Sequence, residues 1–223
     1  MEVLIVNASP RAPISHSKEY GRLLSECLCK TEDVCVQHTI ALREKQVEES
    51  AVRTQTADHV VLVFPLYVDS VPVTVLSLFS KLAQIYAEKQ APFVMHVMIN
   101  CGFLESYQNN TAVSIVRLFC KRQGISFGSV LRIGSGEAIL GTPFQKRVEA
   151  ALNKLAQSII SGEAQTYSVQ MPLPKWLFIR AGNRFWLKRG QKNGLTRAQM
   201  EAEEVKDARQ AKNPKNTCIM RVI

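Results

Sequence analysis

Three short, almost wholly apolar runs alternate with segments of helical periodicity, and this alternation constrains the fold more than any other feature of the chain. The strongest run is His59–Phe64 (HVVLVF), and the other two are Val3–Val6 and Phe93–Ile99. Strands that are apolar throughout are typical of parallel sheets whose two faces are covered by helices. With further strands at Val34–His38 and Ser129–Ile133, the runs predict a doubly wound α/β fold with a five-stranded parallel sheet in the order 2-1-3-4-5.

Helices are predicted between most of these strands. The segment between the second and third strands is predicted to hold only a short connection. The pattern fills residues 1–165, which we take as one domain, and residues 166–223 are predicted to form a basic C-terminal extension with helical segments. The predicted helices are Ser15–Lys30, Pro72–Tyr86, Ser106–Gln123 and Thr142–Ile160.

The first loop is the most informative of those that follow the strands, because ligands of such sheets bind outside the carboxyl ends of the strands. It leads into a helix, whose free N–H groups favour an anion. Ser9, Ser15 and Ser17 add hydroxyl groups and Arg11 adds a positive charge. No GxxxxGK or GxGxxG motif follows the strand, which disfavours nucleoside triphosphate and Rossmann dinucleotide sites. A helix cap with a solvated loop is the alternative to phosphate binding.

The second and third loops add surfaces that a flat ring could contact. Tyr67 follows a buried strand between two prolines, where it either covers a ring or packs on the end of the sheet. Gly102 lets the backbone approach a ligand closely. Cys101 is disfavoured as a nucleophile, since no histidine is an obvious partner. The fourth loop, Gly134–Gly141, allows a tight turn near the site or against a partner subunit.

Taken together, the four loops resemble those of flavodoxin-like NAD(P)H-dependent FMN reductases and bacterial flavodoxin-family oxidoreductases. The resemblance covers about residues 1–165 and implies a flavodoxin-like fold. Pro13 and Ile14 depart from it, because many relatives have small or polar residues there. The matching segments are Ser9-Pro-Arg11 with Ser15-x-Ser17, Pro65-Leu-Tyr-Val-Asp69, Asn100-Cys-Gly-Phe103 with Glu105, and Ile133-Gly-x-Gly-Glu137.

The resemblance also implies a cofactor, FMN, and a set of residues that bind it. The first loop would bind the phosphate, the second would lie beside the isoalloxazine ring and ribityl chain, and the third would meet the pyrimidine side of the ring. It further implies a homodimer. The residues concerned are Ser9, Arg11, Ser15, His16 and Ser17 in the first loop, Pro65, Leu66, Tyr67 and Val68 in the second, and Asn100, Cys101, Gly102 and Phe103 in the third.

The activity that the resemblance implies is an FMN-dependent NAD(P)H oxidoreductase, which passes reducing equivalents to a quinone, a flavin or another small acceptor. Hydride transfer to a flavin requires no acid or base from the protein, so no catalytic side chain is predicted. One alternative is a flavodoxin-type electron carrier that works with a protein partner. Another is a relative of the fold that serves as an interaction module.

The positive charge is concentrated at the C-terminal end. The chain has a net charge of +9; residues 1–174 hold 16 Lys and Arg against 15 Asp and Glu, whereas residues 175–223 hold 12 against 4. Both tryptophans, Trp176 and Trp186, lie in this extension, beside a basic row at Arg184, Lys188 and Lys192. The extension either packs on its own domain or a dimer partner, or lies on an anionic membrane surface. Nucleic-acid binding is disfavoured, because no recognised fold supports it.

The cellular location and the state of the cysteines are predicted from motifs that the sequence lacks. No apolar stretch is long enough to span a membrane, and the N-terminus is a strand rather than a signal peptide, so we expect a cytoplasmic protein, peripheral to the membrane at most. The six cysteines show neither CxxC pairs nor Cys/His spacings that suggest zinc, and free thiols are expected.

Overall fold

Six parallel strands form one sheet in the computed structural model, which describes residues 1–12 and 14–201. Their order is β2-β1-β3-β4-β5-β6, so the order of the first five is as predicted and is the flavodoxin-like doubly wound order. The sheet lies in the first of two units, Met1–Pro172; the second begins at Leu173. The strands are β1 Glu2–Asn7, β2 Cys35–Ile40, β3 His59–Pro65, β4 Val94–Asn100, β5 Ser126–Ile133 and β6 Thr166–Val169.

Five helices of the first unit cover the two faces of this sheet. Leu4, Leu62 and Phe64 belong to the core cluster under α2, α3 and α4. Alternate residues of the same strands point to the opposite face, where α1 and α5 pack against each other and on the strands. The helices are α1 His16–Leu28, α2 Glu44–Arg53, α3 Val73–Ile85, α4 Asn110–Gln123 and α5 Gln145–Ser161, with α6 Lys175–Lys192 and α7 Arg197–Met200 in the second unit and short 3₁₀ turns at Thr54–Thr56 and Ser106–Asn109.

Helix α2 corrects the prediction of a short connection between the second and third strands. Its buried face consists of Val47, Ser50 and Ala51, and only one of these is a large apolar residue. The other positions carry mainly charged or polar side chains, so the helical periodicity is too weak to read from the sequence.

Strand β6 corrects the prediction of five strands and lies beyond the expected domain boundary at residue 165. It pairs in parallel with β5, from Val130–Thr166 to Ile133–Val169. Only Val169 of its four residues is buried, so the segment lacks the apolar run that reveals the central strands. Helix α5 connects β5 to β6 and lies on the same face of the sheet as α1. However, the β1–β2 connection, which contains α1, moves towards one edge of the sheet, whereas the β5–β6 connection moves towards the other edge. This connection therefore has the opposite hand to the other four, and about 98% of such connections are right-handed.

Several helix starts differ by a few residues from the predicted ones. Pro72 is the N-cap of α3 rather than its first residue, and the predicted helix at 106–123 begins as a 3₁₀ turn. Helix α5 starts at Gln145 because the Thr142 hydroxyl accepts the N–H of Phe144 and holds Thr142–Phe144 outside the helix. Gly124, with φ +64°, is the C-cap of α4.

A buried polar cluster joins β3, β4 and β5 near their amino ends. Nδ1 of His96 accepts the backbone N–H of Ser129 at 2.9 Å, where the pairing of β4 and β5 has an irregular register. The proton of the neutral ring is therefore on Nε2, which lies 3.0 Å from Nδ1 of His59. Burial, with a smaller effect from His59, lowers the pKa of His96 to about 3. His96 thus replaces a backbone acceptor at this bulge and must stay neutral.

We predict that His96 makes the protein sensitive to acid. In the unfolded chain a histidine has a pKa of about 6.5, so its contribution is complete above pH 7 and is lost as the pH falls from 6.5 towards 3. Between pH 7 and pH 4 the free energy of unfolding should fall by about 3 kcal/mol through this residue alone. The variant His96→Asn offers an acceptor that does not titrate. Urea unfolding at the two pH values should therefore show a smaller decrease in the free energy of unfolding for this variant than for the wild type. The exposed His16→Asn is the control, and an equal fall in wild type and His96→Asn would contradict the prediction.

Candidate functional site

A cleft of about 600 Å³ opens at the carboxyl ends of β1, β3 and β4, at the point where the strand order reverses. Such a position and volume are typical of small-molecule sites in open α/β sheets. It brings together most of the predicted cofactor-binding residues, whereas Leu66, Val68, Cys101, Gly102 and Phe103 are outside its lining. The predicted residues that line it are Ser9, Arg11, Ser15, His16, Ser17, Pro65, Tyr67 and Asn100.

The first loop is shaped by the side chain of Asn7. Its Oδ1 accepts the N–H of Ser9 at 3.0 Å, and its Nδ2 lies 3.5 Å from Oγ of Ser15. The hydroxyl of Ser9, which is 1% exposed, accepts the N–H of Arg11 at 3.2 Å. The Ser9 hydroxyl hydrogen remains available to donate. Ile14 is 87% exposed at the rim, and Pro13 lies outside the described residues.

Helix α1 begins at this loop and points its amino end at the cleft. Ser15 is its N-cap, and the Ser15 hydroxyl accepts the N–H of Lys18 at 3.2 Å. The N–H groups of His16 and Ser17 belong to the first turn, so they have no acceptor within the helix. Together with the helix dipole, these N–H groups make a site that suits an anion.

Ser17 connects the first loop to the third. Its hydroxyl donates to Oδ1 of Asn100 at 2.9 Å, and both side chains are buried. The Ser17 hydroxyl is therefore engaged with Asn100 at the end of β4, and its free backbone N–H is the group that remains for an anion. The bond also fixes the Asn100 side chain at the floor of the cleft.

The second loop is a tight turn of four residues. The N–H of Tyr67 bonds to the carbonyl of Ser70 at 3.2 Å, and the N–H of Ser70 bonds to the carbonyl of Tyr67 at 2.9 Å. Val68 and Asp69 have φ of +47° and +55°, which is a type I′ turn. A β-branched residue in this conformation is strained by about 1–3 kcal/mol. The turn exposes 90% of Val68 and holds Tyr67 against the cleft.

In the third loop, the thiol of Cys101 points into the protein. Its sulfur lies near the carbonyl oxygens of Phe103 and Glu105 and accepts from Nδ2 of Asn109 at 3.5 Å. Burial is the main cause that raises the pKa of Cys101 to about 11. The thiol is thus protonated and structural, and it does not face the cleft.

The fourth loop packs closely against the third loop. A Cβ atom at Gly134 would lie 2.4 Å from the carbonyl oxygen of Leu104 and 2.7 Å from the nitrogen of Ser106. At Gly136 it would lie 2.8 Å from Cβ of Asn100. The Tyr20 hydroxyl, wholly buried in α1, donates to the carbonyl of Gly136 at 2.7 Å. The two glycines therefore serve close packing between loops.

Charged groups of both signs surround the cleft. Arg11, His16 and Lys18 are exposed at its mouth. Glu19 also lines it, but its carboxylate bonds to the Arg22 guanidinium at 2.6 Å, which lowers the pKa of Glu19. Arg22 also bonds to Glu26, and a second carboxylate, that of Glu137, lines the cleft beside the fourth loop. The positive charge that favours an anion at the α1 end therefore comes from Arg11 and Lys18.

Several lining residues were not predicted from the sequence. Lys18 and Glu19 belong to the first turn of α1, and their position one turn after the N-cap could have indicated them. Glu137, Leu140 and Gly141 come from the fourth loop, which was predicted to lie near the site but was assigned no cofactor-binding residue. Asn7 ends β1, and its role in shaping the first loop depends on hydrogen bonds that only the structure shows.

The chain is similar in structure to several proteins with this fold. With the NAD(P)H:quinone oxidoreductase from Methanothermobacter marburgensis it has a TM-score of 0.57 and 15% identity over 70% of this chain and 94% of that one. With an FMN-dependent NADH-azoreductase from Bacillus anthracis, solved in complex with FMN, the values are 0.54 and 12% over 70% and 98%. With a flavodoxin from Streptococcus pneumonia TIGR4 they are 0.50 and 14% over 73% and 99%.

These likenesses establish the flavodoxin-like fold of the first unit. No protein-family model matches the chain, and no curated protein does. No helix in the described part of the chain is long and apolar enough to cross a membrane.

We predict that Gly134 tolerates no side chain. Gly134→Ala should lower the free energy of unfolding by about 2–3 kcal/mol, because the added Cβ meets backbone atoms that cannot move independently. Gly102→Ala in the adjacent loop is the matched control, since its Cβ would meet the Glu137 carboxyl group at an ordinary 3.8 Å. Urea unfolding of both variants tests this, and equal stability would show that the fourth loop does not pack as described.

Proposed function

We propose that the protein is an FMN-dependent NAD(P)H oxidoreductase that passes reducing equivalents to a small acceptor such as a quinone or a flavin. The observation that carries the proposal is the cleft at the switch point of the sheet, where the amino end of α1 and the hydroxyls of Ser9 and Ser15 face the same space. An anion and a flat ring can both be accommodated there.

The donor groups at the α1 end fit the phosphate of FMN. Ser9 and Ser15 each accept a backbone N–H and keep a hydroxyl hydrogen to donate. His16 and Ser17 present free N–H groups, and Arg11 supplies a guanidinium that can form paired hydrogen bonds with phosphate oxygens. All five predicted residues of the first loop line the cleft, so we assign the phosphate to this end.

The other end fits the flavin ring. Pro65 and Tyr67 form one wall, and Asn100 forms the floor. Leu66 and Val68 belong to the same turn, and Cys101, Gly102 and Phe103 would contact the ring through the backbone or at its edge. When bound, FMN supplies the hydride and electron chemistry, and the protein binds and orients it.

The proteins of similar structure support an FMN-dependent reductase. One is an NAD(P)H:quinone oxidoreductase, and another is an FMN-dependent NADH-azoreductase solved with FMN. The likeness to a flavodoxin supports the alternative of an electron carrier, which would use the same cofactor site with a protein partner. Reaction with NAD(P)H separates the two.

We expect the purified full chain to bind FMN and to be reduced by a nicotinamide cofactor. Added FMN should bind, and NADH or NADPH should bleach its visible absorption under anaerobic conditions. Binding without bleaching would favour the electron carrier, and failure to bind FMN would overturn the proposal. Arg11→Gln should weaken FMN binding tenfold or more, as expected for a lost hydrogen bond between charged groups. Arg122→Gln, an exposed position at the end of α4, is the control.

We also propose a homodimer that covers the rim of the cleft. Ile14, Val68 and Phe103, one from each of the first three loops, are 87%, 90% and 53% exposed. Ile14 lines the cleft, and Val68 and Phe103 belong to loops that follow neighbouring strands; large apolar side chains exposed on such loops are typical of an interface.

The expected result is that Ile14→Ser with Phe103→Ser shifts the protein towards monomer in sedimentation velocity experiments. Leu118→Ser, which is half-exposed on α4, should leave the association unchanged. A wild-type monomer at all concentrations would contradict the dimer but would leave the cofactor site unaffected.

A further inference from the structure

Helix α6 is unusual in its charge and exposure. Its 18 residues, KWLFIRAGNRFWLKRGQK, include Lys and Arg at six positions and no Asp or Glu. Trp176, Phe185 and Trp186 are 64%, 56% and 48% exposed. Only Gly190 of the helix is buried. Most of the other side chains of α6 are exposed, and Leu177, Phe178 and Leu187 are partly exposed.

One sector of α6 carries four of its apolar residues, whereas Leu177, Phe178 and Phe185 lie on other sides of the helix, among basic residues. With 3.6 residues per turn, Trp176, Ile179, Trp186 and Leu187 fall within an arc of about 100°. Lys175 borders this arc on one side, and Arg180 followed by Arg184 borders it on the other. An apolar stripe with basic residues on both borders is typical of a helix that lies in the interface of a membrane.

A groove of about 960 Å³ runs along this stripe. Trp176, Ile179 and Leu187 form its apolar part, and Arg180 and Arg184 add positive charge. Arg197 also lines it and comes from α7, which packs closely on α6 where Met200 meets Gly190. The groove therefore places three guanidinium groups beside an apolar wall.

Charge decides which partner fits this surface. A second copy of α6 would bring six more positive charges and no negative ones. Residues 1–174, with 16 basic and 15 acidic side chains, offer no net negative charge either. The partner must be anionic and must also accept Trp, Ile and Leu side chains. Nucleic acid meets the first condition, but it offers no aliphatic layer for Ile179 and Leu187.

We infer that α6 docks on the surface of an anionic phospholipid bilayer, with its apolar stripe in the headgroup region and its arginines on lipid phosphates. The inference does not depend on flavin binding, since it concerns the second unit alone. It brings the reductase, if the proposed function holds, to a surface where lipid-soluble acceptors are concentrated.

Vesicle binding by the full chain tests the inference. The protein should co-sediment with vesicles of equal parts phosphatidylglycerol and phosphatidylcholine, and should not co-sediment with phosphatidylcholine alone. High salt should weaken the binding, because headgroup charge is screened. The two tryptophans of the chain both lie on α6, so a blue shift of tryptophan fluorescence on anionic vesicles would report that α6 enters the interface.

Two pairs of substitutions distinguish this surface from non-specific attraction. Arg180→Gln with Arg184→Gln should weaken vesicle binding roughly 30-fold. Lys121→Gln with Arg122→Gln removes the same charge from the exposed end of α4 and should change it much less. Equal loss in both pairs, equal binding to neutral vesicles, or no fluorescence shift would overturn the inference. Displacement from the vesicles by an oligonucleotide at comparable concentration would also overturn it, in favour of nucleic acid.

Discussion

The burial of the central strands on both faces is the constraint on which the rest of the first unit depends. Val60–Phe64 of β3 are at most 1% exposed, so helices must cover both sides of the sheet. Parallel strands then bring all their carboxyl ends to one edge. The cleft lies at that edge because the chain leaves β1 in one direction and β3 in the other, which opens a space between their loops.

The main features of this unit could be predicted because the signals were local and strong. The apolar runs at β1, β3 and β4 predicted a parallel sheet, and its first five strands have the predicted order. Helix α2 and strand β6 were missed, since each buries too few apolar residues to show a period. The reversed hand of the β5–β6 connection has no signal in the sequence at all, because tertiary packing of α5 on α1 determines it.

The sequence predicted which residues lie at the candidate site more accurately than it predicted what each side chain does there. The serines and Arg11 of the first loop face the cleft because a strand end and a helix start must meet there. The contact between Ser17 and Asn100 joins residues 83 positions apart, and a periodicity argument does not detect such a pair. Cys101 has a polar group and a loop position, yet its neighbours Phe103, Glu105 and Asn109 turn the thiol inward.

Strand β6 has a consequence for how the sheet meets other molecules. A sheet edge with free N–H and carbonyl groups can pair with the edge of another chain, and long apolar edges promote aggregation. Here the long, buried strand β5 is screened by a strand of four residues, three of which carry hydroxyl groups. Such a short polar edge offers little length for another strand to join. At this edge of the sheet, the backbone of β5 from Val130 to Ile133 is therefore protected from pairing with another chain, whereas the opposite edge is formed by β2, a strand of six residues.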